Sequence, residues 1–379
     1  MNAPVYLDYN ATTPVDPRVA KAVEACLHQH FGNPSSTHLY GRNAHQVVEL
    51  ARHQVASLVA AEVDEIVFCG CATEANNLAI RGVARALRDK GRHLVTSALE
   101  HPAVEQPMRR LAEDGWEVSV LPVDSHGLVD PAQLEDALRE DTVLVSVMHA
   151  NNEVGTIQPL AEISRMTRAR GILLHTDAAQ SVGKIPVNVG DLDVDLLTLA
   201  GHKFYAPKGV GALYVRRGTP LQPLLVGAGH EGGLRPGTEN VPAIAGMGEA
   251  ARIAHERNPG HGDELRRLRD QLHARLGEAL PGLQLNGHPE QRLPNTLNLS
   301  FAGVDGRELL AHAADDVAAS VGSACHEEGD AVSGVLGAMG IEAQRARGAV
   351  RLSLGAPSTE SEIERAAGAL IAAWRAQTD

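Results

Sequence analysis

Cysteine is scarce in this chain: Cys26, Cys69, Cys71 and Cys325 are the only four in 379 residues. So few, and so scattered, they do not make the disulfide framework of a secreted scaffold, and a reducing compartment is the natural expectation. Basic residues are also in deficit, 34 Lys and Arg against 47 Asp and Glu, for a formal charge of −13. That balance argues against nucleic acid or an anionic membrane as the main partner. No apolar run reaches the roughly 18 residues that suggest a membrane span. The opening Met1-Asn2-Ala3-Pro4-Val5-Tyr6-Leu7-Asp8 lacks the basic stretch and apolar segment of a secretory signal, so a cytoplasmic location is expected. The Cys69-x-Cys71 pair has no second ligand pair at a zinc-like spacing, and no metal site is expected.

Hydrophobic residues at 44% and charged residues at 21% are ordinary globular values and exclude a disordered chain. Single cores stop growing beyond about 250–300 residues, so two domains are expected. Short β-branched runs at 66–68, 93–96, 118–121, 143–147, 172–175, 196–199 and 211–215 read as strands. Helical patterns over 74–88, 104–114, 131–139 and 160–170 lie between them. This alternation predicts an α/β fold with a mostly parallel sheet covered on both faces. Beyond Val241 a long helical stretch over 243–280 is interrupted by the breaker Asn258-Pro259-Gly260-His261-Gly262. A mixed region follows, with strands at 296–301 and 350–354 and a last helix from Ser361, capped within Ser358-Thr359-Glu360-Ser361. The reading is a large α/β domain over 15–250 and a smaller α+β domain over 251–379, with residues 1–14 joining them.

Ligands in open α/β sheets sit beyond the carboxyl ends of the strands. There the sequence places Ala72-Thr73 at a helix start, Glu100-His101, Asn151-Asn152-Glu153, Asp177 and the pair His202-Lys203. That set suits pyridoxal 5'-phosphate. The cofactor needs a lysine amine to hold it, here Lys203, and a carboxylate to keep its pyridine nitrogen protonated, here Asp177. Ala72-Thr73 supplies a phosphate cradle through the free N–H groups of a helix N-terminus.

Motifs throughout the chain resemble, in order, the cysteine desulfurase and selenocysteine lyase group of class V aminotransferase-fold enzymes. They begin with Tyr6-Leu7-Asp8-Tyr9-Asn10-Ala11-Thr12-Thr13-Pro14, Gly32-Asn33-Pro34-Ser35-Ser36 and Ala72-Thr73-Glu74-Ala75-Asn76-Asn77-Leu78. Asn151-Asn152-Glu153-Val154-Gly155, His175-Thr176-Asp177-Ala178-Ala179-Gln180 and Gly201-His202-Lys203-Phe204-Tyr205 follow. The series ends with Arg235-Pro236-Gly237-Thr238-Glu239-Asn240, Gly322-Ser323-Ala324-Cys325 and Val350-Arg351-Leu352-Ser353-Leu354-Gly355.

The resemblance implies the pyridoxal-phosphate-dependent transferase fold of the type I aminotransferases, and a homodimer. It implies that Lys203 holds the cofactor and Asp177 pairs with the pyridine nitrogen. His101 would stack on the ring and assist as acid or base, with Gln180 and Asn152 near the phenolic oxygen. Ala72, Thr73 and His202 would bind phosphate, joined by Thr238 of the partner subunit. Asn33, Asn152 and Arg351 would hold the substrate carboxylate, which suits a planar guanidinium fork. Cys325 would be the nucleophile that takes sulfur from L-cysteine as a persulfide and passes it to an acceptor protein or small thiol, for iron–sulfur cluster assembly or another thiolation route. Its small, polar surroundings read as a loop, in which His326 favours the thiolate while Glu327, Glu328 and Asp330 oppose it.

Three departures bear on the cofactor. Ala200 stands where many relatives carry a phosphate-contacting Ser, a loss of about 1.5–3 kcal/mol for a hydrogen bond to a charged acceptor. Cys69-Gly70-Cys71 replaces the usual Thr-Ser-Gly, so the Cys71 side chain is expected to crowd the phosphate. Gly229-His230-Glu231-Gly232-Gly233 lacks the Gln and Arg usual at positions 230 and 232. Selenocysteine lyase is the nearest alternative, favoured by Tyr9, Arg235-Pro236-Gly237-Thr238 and Val321-Gly322-Ser323-Ala324-Cys325-His326. A catalytically weak partner-binding homologue, and a transaminase or epimerase on the same scaffold, are the more distant ones.

Overall fold

A computed structural model describes residues 3–322 and 333–378, so Cys325 and its loop lie outside the described residues. After the short strand β1 (Val5–Tyr6), the β-branched runs form β2 (Ile66–Cys69), β3 (His93–Ser97), β4 (Glu117–Leu121), β5 (Thr142–Ser146), β6 (Leu173–Asp177), β7 (Leu196–Ala200) and β8 (Gly211–Val215). The helices of this part are α1 (Pro17–His28), α2 (Leu39–Val59), α3 (Ala72–Leu87), α4 (Pro102–Glu113), α5 (Pro131–Ala137), α6 (Leu160–Ala169) and α7 (Val189–Leu192).

Strands β2 to β8 make one seven-stranded sheet in the order β2-β8-β7-β6-β5-β3-β4. Only β8 runs against its neighbours; the pairs among β3 to β7 are parallel. Strands β3, β5 and β7 are buried along their whole length, which is why they appear in the sequence as apolar runs rather than alternations. At the edge β4 opens to solvent, and Val120 is exposed. Because β2 is antiparallel to β8, its carboxyl end points the same way as those of β3 to β7. The sixth strand extends further than its apolar run, since Asp177 still pairs with Thr198 and is therefore the strand's last residue.

The stretch over 243–280 is one 39-residue helix, α8 (Val241–Ala279), rather than two pieces parted by a breaker. The breaker survives as a local distortion, with Gly260 at φ 94°. Packing explains the continuity, because tertiary burial overrides weak local propensity. The first half of α8 buries Ala243, Met247, Ala250 and Ala254 in the core that α1 and α2 share with the sheet. Its second half buries Leu265, Leu268, Leu272 and Leu276, a helical stripe, in a separate core.

That second core is built on the antiparallel strands β9 (Gln284–Asn286), β10 (Thr296–Ser300) and β12 (Ala349–Ser353), in the order β12-β10-β9. Around them lie α9 (Gly306–His312), β11 (Val317–Ala318), α10 (Gly334–Ala338), α11 (Ala343–Arg347) and α12 (Glu360–Thr378). Thr359 caps α12 reciprocally: Thr359 N donates to Glu362 Oε2 at 2.9 Å and Glu362 N to Thr359 Oγ1 at 3.3 Å. The N-terminal strand belongs to this core, with β1 beside β11 and Val5 and Leu7 buried among its leucines. Among the described residues, no helix is long and apolar enough to cross a membrane.

Helices α2 and α8 meet so closely that a Cβ placed on Gly248 would lie 2.5 Å from the Ala51 Cα. Overpacking of this kind costs typically about 1–3 kcal/mol. Gly248→Val is therefore expected to lower the denaturant midpoint by a stability loss of at least about 2 kcal/mol; an unchanged midpoint would show that the two helices do not meet in this way.

Candidate active site

The carboxyl ends of the sheet open into a cavity of about 420 Å³, within the usual range for small-ligand sites. Asp177 forms part of its wall at the end of β6. Asn76 Nδ2, from the first turns of α3, donates to Asp177 Oδ2 at 2.7 Å, and Ala179 N donates to Oδ1 at 2.9 Å. The carboxylate is thus fixed in orientation, and among the described residues Asp177 is the only acidic one lining the cavity.

Lys203 enters from the short turn after β7. Its Nζ donates to the carbonyls of Asn10 and Ala11 at 2.7 and 2.8 Å, which aims the amine across the cavity. Burial pushes its pKa down to about 8; Arg351 adds to the fall, and Asp177 and Asp8 oppose it. His202 beside it meets Thr12 Oγ1 through Nδ1 at 3.1 Å. Burial and the charges of Lys203, Lys208 and Lys184 lower its pKa to about 4, so the ring is neutral at pH 7.

His101 is the N-cap of α4, its Nδ1 accepting from Ala103 N at 3.1 Å. With Nδ1 occupied as an acceptor, the neutral ring carries its proton on Nε2. Burial lowers its pKa, Asp177 resists and Lys203 assists. Helix α3 begins at Ala72 without a side-chain cap, leaving the amides of its first turn for a ligand. Gly211 makes this approach feasible, because a Cβ there would sit 2.9 Å from Ala72 N. Ala200 faces the same cavity with a methyl group, and Cys71 also lines it.

A pinned carboxylate, a depressed amine and an uncapped helix start around one cavity are the donor set that pyridoxal phosphate requires, and the residues present fit it. Asp177 would hold the pyridine nitrogen, Lys203 the aldehyde carbon, and Ala72 and Thr73 the phosphate.

Arg351, on β12, reaches the same cavity although it is only 5% exposed. Its Nη1 donates to the Asn152 carbonyl at 3.2 Å, and its Nη2 meets Asp8 Oδ1 at 2.7 Å. The other oxygen of Asp8 accepts from Ser320 Oγ at 2.9 Å. The sequence reading did not single out Asp8, although it stands in the opening motif.

The structure therefore gathers Ala72, Thr73, His101, Asn152, Asp177, Gln180, His202, Lys203 and Arg351 at one cavity. Asn33 is not among them: it is exposed, its Oδ1 accepting from Ser35 N at 2.9 Å. Thr238 is also exposed and away from this chain's own cavity. Missed from sequence were Asn10, Asn76 and Lys184, all of which bond directly to site residues; two of them stand inside motifs quoted above. Of the described thiols, Cys26 and Cys69 are buried and held protonated by that burial, and Cys71 alone is exposed.

Fold and cavity together define an enzyme of the aminotransferase kind, and the chain belongs to the class V aminotransferase family, whose model matches residues 5–366. Its cofactor is pyridoxal phosphate. Curated relatives sharpen this likeness. The cysteine desulfurase IscS of Dictyoglomus turgidum is 46% identical over 364 residues, covering 96% of this chain and 92% of its own. That of Pectobacterium carotovorum is 48% identical over 369 residues, with 96% and 91% covered. Among solved structures, a NifS-like protein superposes with a TM-score of 0.92 at 38% identity, covering 97% of this chain and 98% of the other. SspA in complex with cysteine gives 0.82 at 35% identity, with 92% and 98% covered.

The depressed Lys203 amine has a kinetic consequence. At pH 8 about half of it is neutral and nucleophilic, against under about 1% of an ordinary lysine. The rate at which cofactor-free protein captures pyridoxal phosphate, followed by absorbance, is expected to rise through pH of about 8 and then level off. Lys203→Ala should remove that phase. A rate still climbing at pH 10 would mean the amine is not depressed.

Proposed function

We propose that the chain is a pyridoxal-phosphate-dependent cysteine desulfurase, converting L-cysteine to L-alanine and transferring the sulfur to Cys325 as a persulfide. The observation that carries the reading is the meeting of Asp177 and Lys203 in one cavity, in a chain similar along nearly its whole length to cysteine desulfurases. The cleft lies between a large domain, 15–250, and a small one, 251–379: Asp177 and Lys203 come from the first, Arg351 from the second.

The Arg351 guanidinium and Asn152 hold the substrate carboxylate. Bound pyridoxal phosphate supplies an electron sink for the charge left when the α-proton departs. Asp177 keeps the proton on the pyridine nitrogen and so deepens that sink. Lys203 Nζ, as a free amine, would accept the α-proton. Its depressed pKa makes it a competent base near neutral pH. His101 would cover the ring and move a proton through Nε2, while Gln180 and Asn152 would lie near the phenolic oxygen. Ala72, Thr73 and His202 hold the phosphate, joined by Thr238 of the partner subunit in a homodimer.

The Cys325 thiolate then attacks the substrate sulfur. A sulfur–sulfur bond forms as the carbon–sulfur bond breaks, the bonding pair returns to carbon, and protonation there yields alanine. The persulfide passes its outer sulfur to a thiol of an acceptor protein or small molecule, for iron–sulfur cluster assembly or another thiolation route, in the cytoplasm. Cys26 and Cys69, buried and protonated, do not compete with Cys325 for this step.

Two measurements test the assignment. Cys325→Ser is expected to cut sulfide release from L-cysteine with reductant by at least about 100-fold while the protein keeps its yellow colour. Mass spectrometry after L-cysteine should locate the persulfide on Cys325, and full turnover in the variant would instead indicate a transaminase or epimerase. Arg351→Gln is expected to raise KM for L-cysteine by about 10–100-fold, the value of a hydrogen bond to a charged group. Alanine formation compared for L-cysteine and L-selenocysteine decides between desulfurase and selenocysteine lyase, strong preference for selenium overturning the first.

A further inference from the structure

We propose that Lys184 is a positioning residue of the cofactor site: it holds the Gln180 amide with its N–H₂ group at the cavity and places an amine donor behind the cofactor's phenolic oxygen. The residue does not line the cavity and belongs to none of the motifs that carry the family likeness. It is nevertheless buried, at 7% exposure, and its Nζ donates to Gln180 Oε1 at 2.6 Å and Asn10 Oδ1 at 3.0 Å. Gly183 makes this inward course possible. It takes φ 78°, and a Cβ there would lie 2.7 Å from the Phe204 Cβ.

The bonding pattern leaves each amide one orientation. Gln180 Nε2 donates at 3.0 Å to the Asn10 carbonyl, which can only accept. That same carbonyl takes Lys203 Nζ at 2.7 Å, so the Gln180 amide nitrogen and the Lys203 amine are neighbours on one oxygen. Asn10 is fixed likewise, its Nδ2 donating to the Asn152 carbonyl at 3.2 Å and to Thr296 Oγ1 at 2.9 Å. Lys184 completes the pattern by giving Gln180 Oε1 the donor it lacks. Pyridoxal phosphate carries its phenolic oxygen on the ring carbon next to the one bearing the aldehyde. Held through Lys203, it would place that oxygen near the Gln180 amide, which shares the Asn10 carbonyl with the Lys203 amine.

Among the described residues, Lys184 forms no ion pair with a carboxylate, and the charges felt at its amine are those of Lys203 and Arg351, both positive. Burial pushes this amine well below the ordinary lysine range and both charges add to the fall, because a buried cation with only neutral oxygens as partners is costly. A phenolate at the cavity supplies the missing countercharge. Lys184 in turn stabilises that phenolate, lowering the pH at which the bound chromophore gives up its proton.

The inference rests on the cavity's being a pyridoxal phosphate site. Its test is a pH titration of the visible absorbance of the cofactor-loaded protein. Lys184→Met is expected to raise the midpoint by about one pH unit, a tenfold gain in proton affinity. Lys184→Gln, the milder change should the first variant fail to fold, is expected to raise it in the same direction by a smaller amount. Gln180→Leu should shift it upward too, and the double variant should shift it by less than the sum, since both residues act through one amide. A midpoint equal to wild type in a folded, coloured Lys184 variant overturns the proposal alone, as do fully additive shifts. A wild-type protein that stays colourless after loading overturns the reading of the cavity and this proposal with it.

Discussion

The backbone carbonyl of Asn10 is the point on which the site turns. It accepts from Lys203 and from Gln180, while the side chain of the same residue bonds to Asn152, Thr296, Lys184 and Asn295. Asn10 N donates to Ser353 Oγ at 2.9 Å, tying this segment to β12. The Lys203 amine is thus aimed by a stretch of chain nearly 200 residues away, tied to the small antiparallel sheet. A substitution that frees this segment would leave Lys203 without a direction, even with both cores intact.

Electrostatics reinforces the geometry. Among the described residues one carboxylate, Asp177, faces the cavity, against Lys203 and Arg351 on its wall. The cavity therefore favours anions, a doubly charged phosphate and a substrate carboxylate among them. The two ends differ in kind: one offers backbone amides at the start of α3, whereas the other offers a side-chain cation. Dipoles at one end and a full charge at the other sort the two anions without any moving part.

How much of this the sequence disclosed follows from how far each feature reaches along the chain. The strands were legible because burial on both faces leaves unbroken apolar runs, and Asp177 and Lys203 because they end two such runs. Helix α8 was misread at Asn258-Pro259-Gly260, since local propensity points to a break and only packing in two separate cores explains the continuity. The Asp8–Arg351 contact joins residues 343 apart, and nothing near either position announces the other. Lys184 looks in sequence like any solvated lysine; only Gly183 beside it hints at an unusual turn. Asn33 and Thr238 were carried by family likeness alone; Asn33 does not line this cavity, and Thr238, expected from the partner subunit, stands away from this chain's own.

The contact between Asp8 and Arg351 means that the guanidinium is never bare. Under the proposed function, an arriving acid would have to win it from a carboxylate already in place, or share it. Affinity for carboxylates in general is weakened by that internal rival, so a small metabolite with an acid group and nothing else gains little by docking here. Under the proposed function, a molecule that also brings an amine for the cofactor would have a second hold and prevail. Selection here comes from exchange rather than from a vacant charge, and it works before any bond is broken.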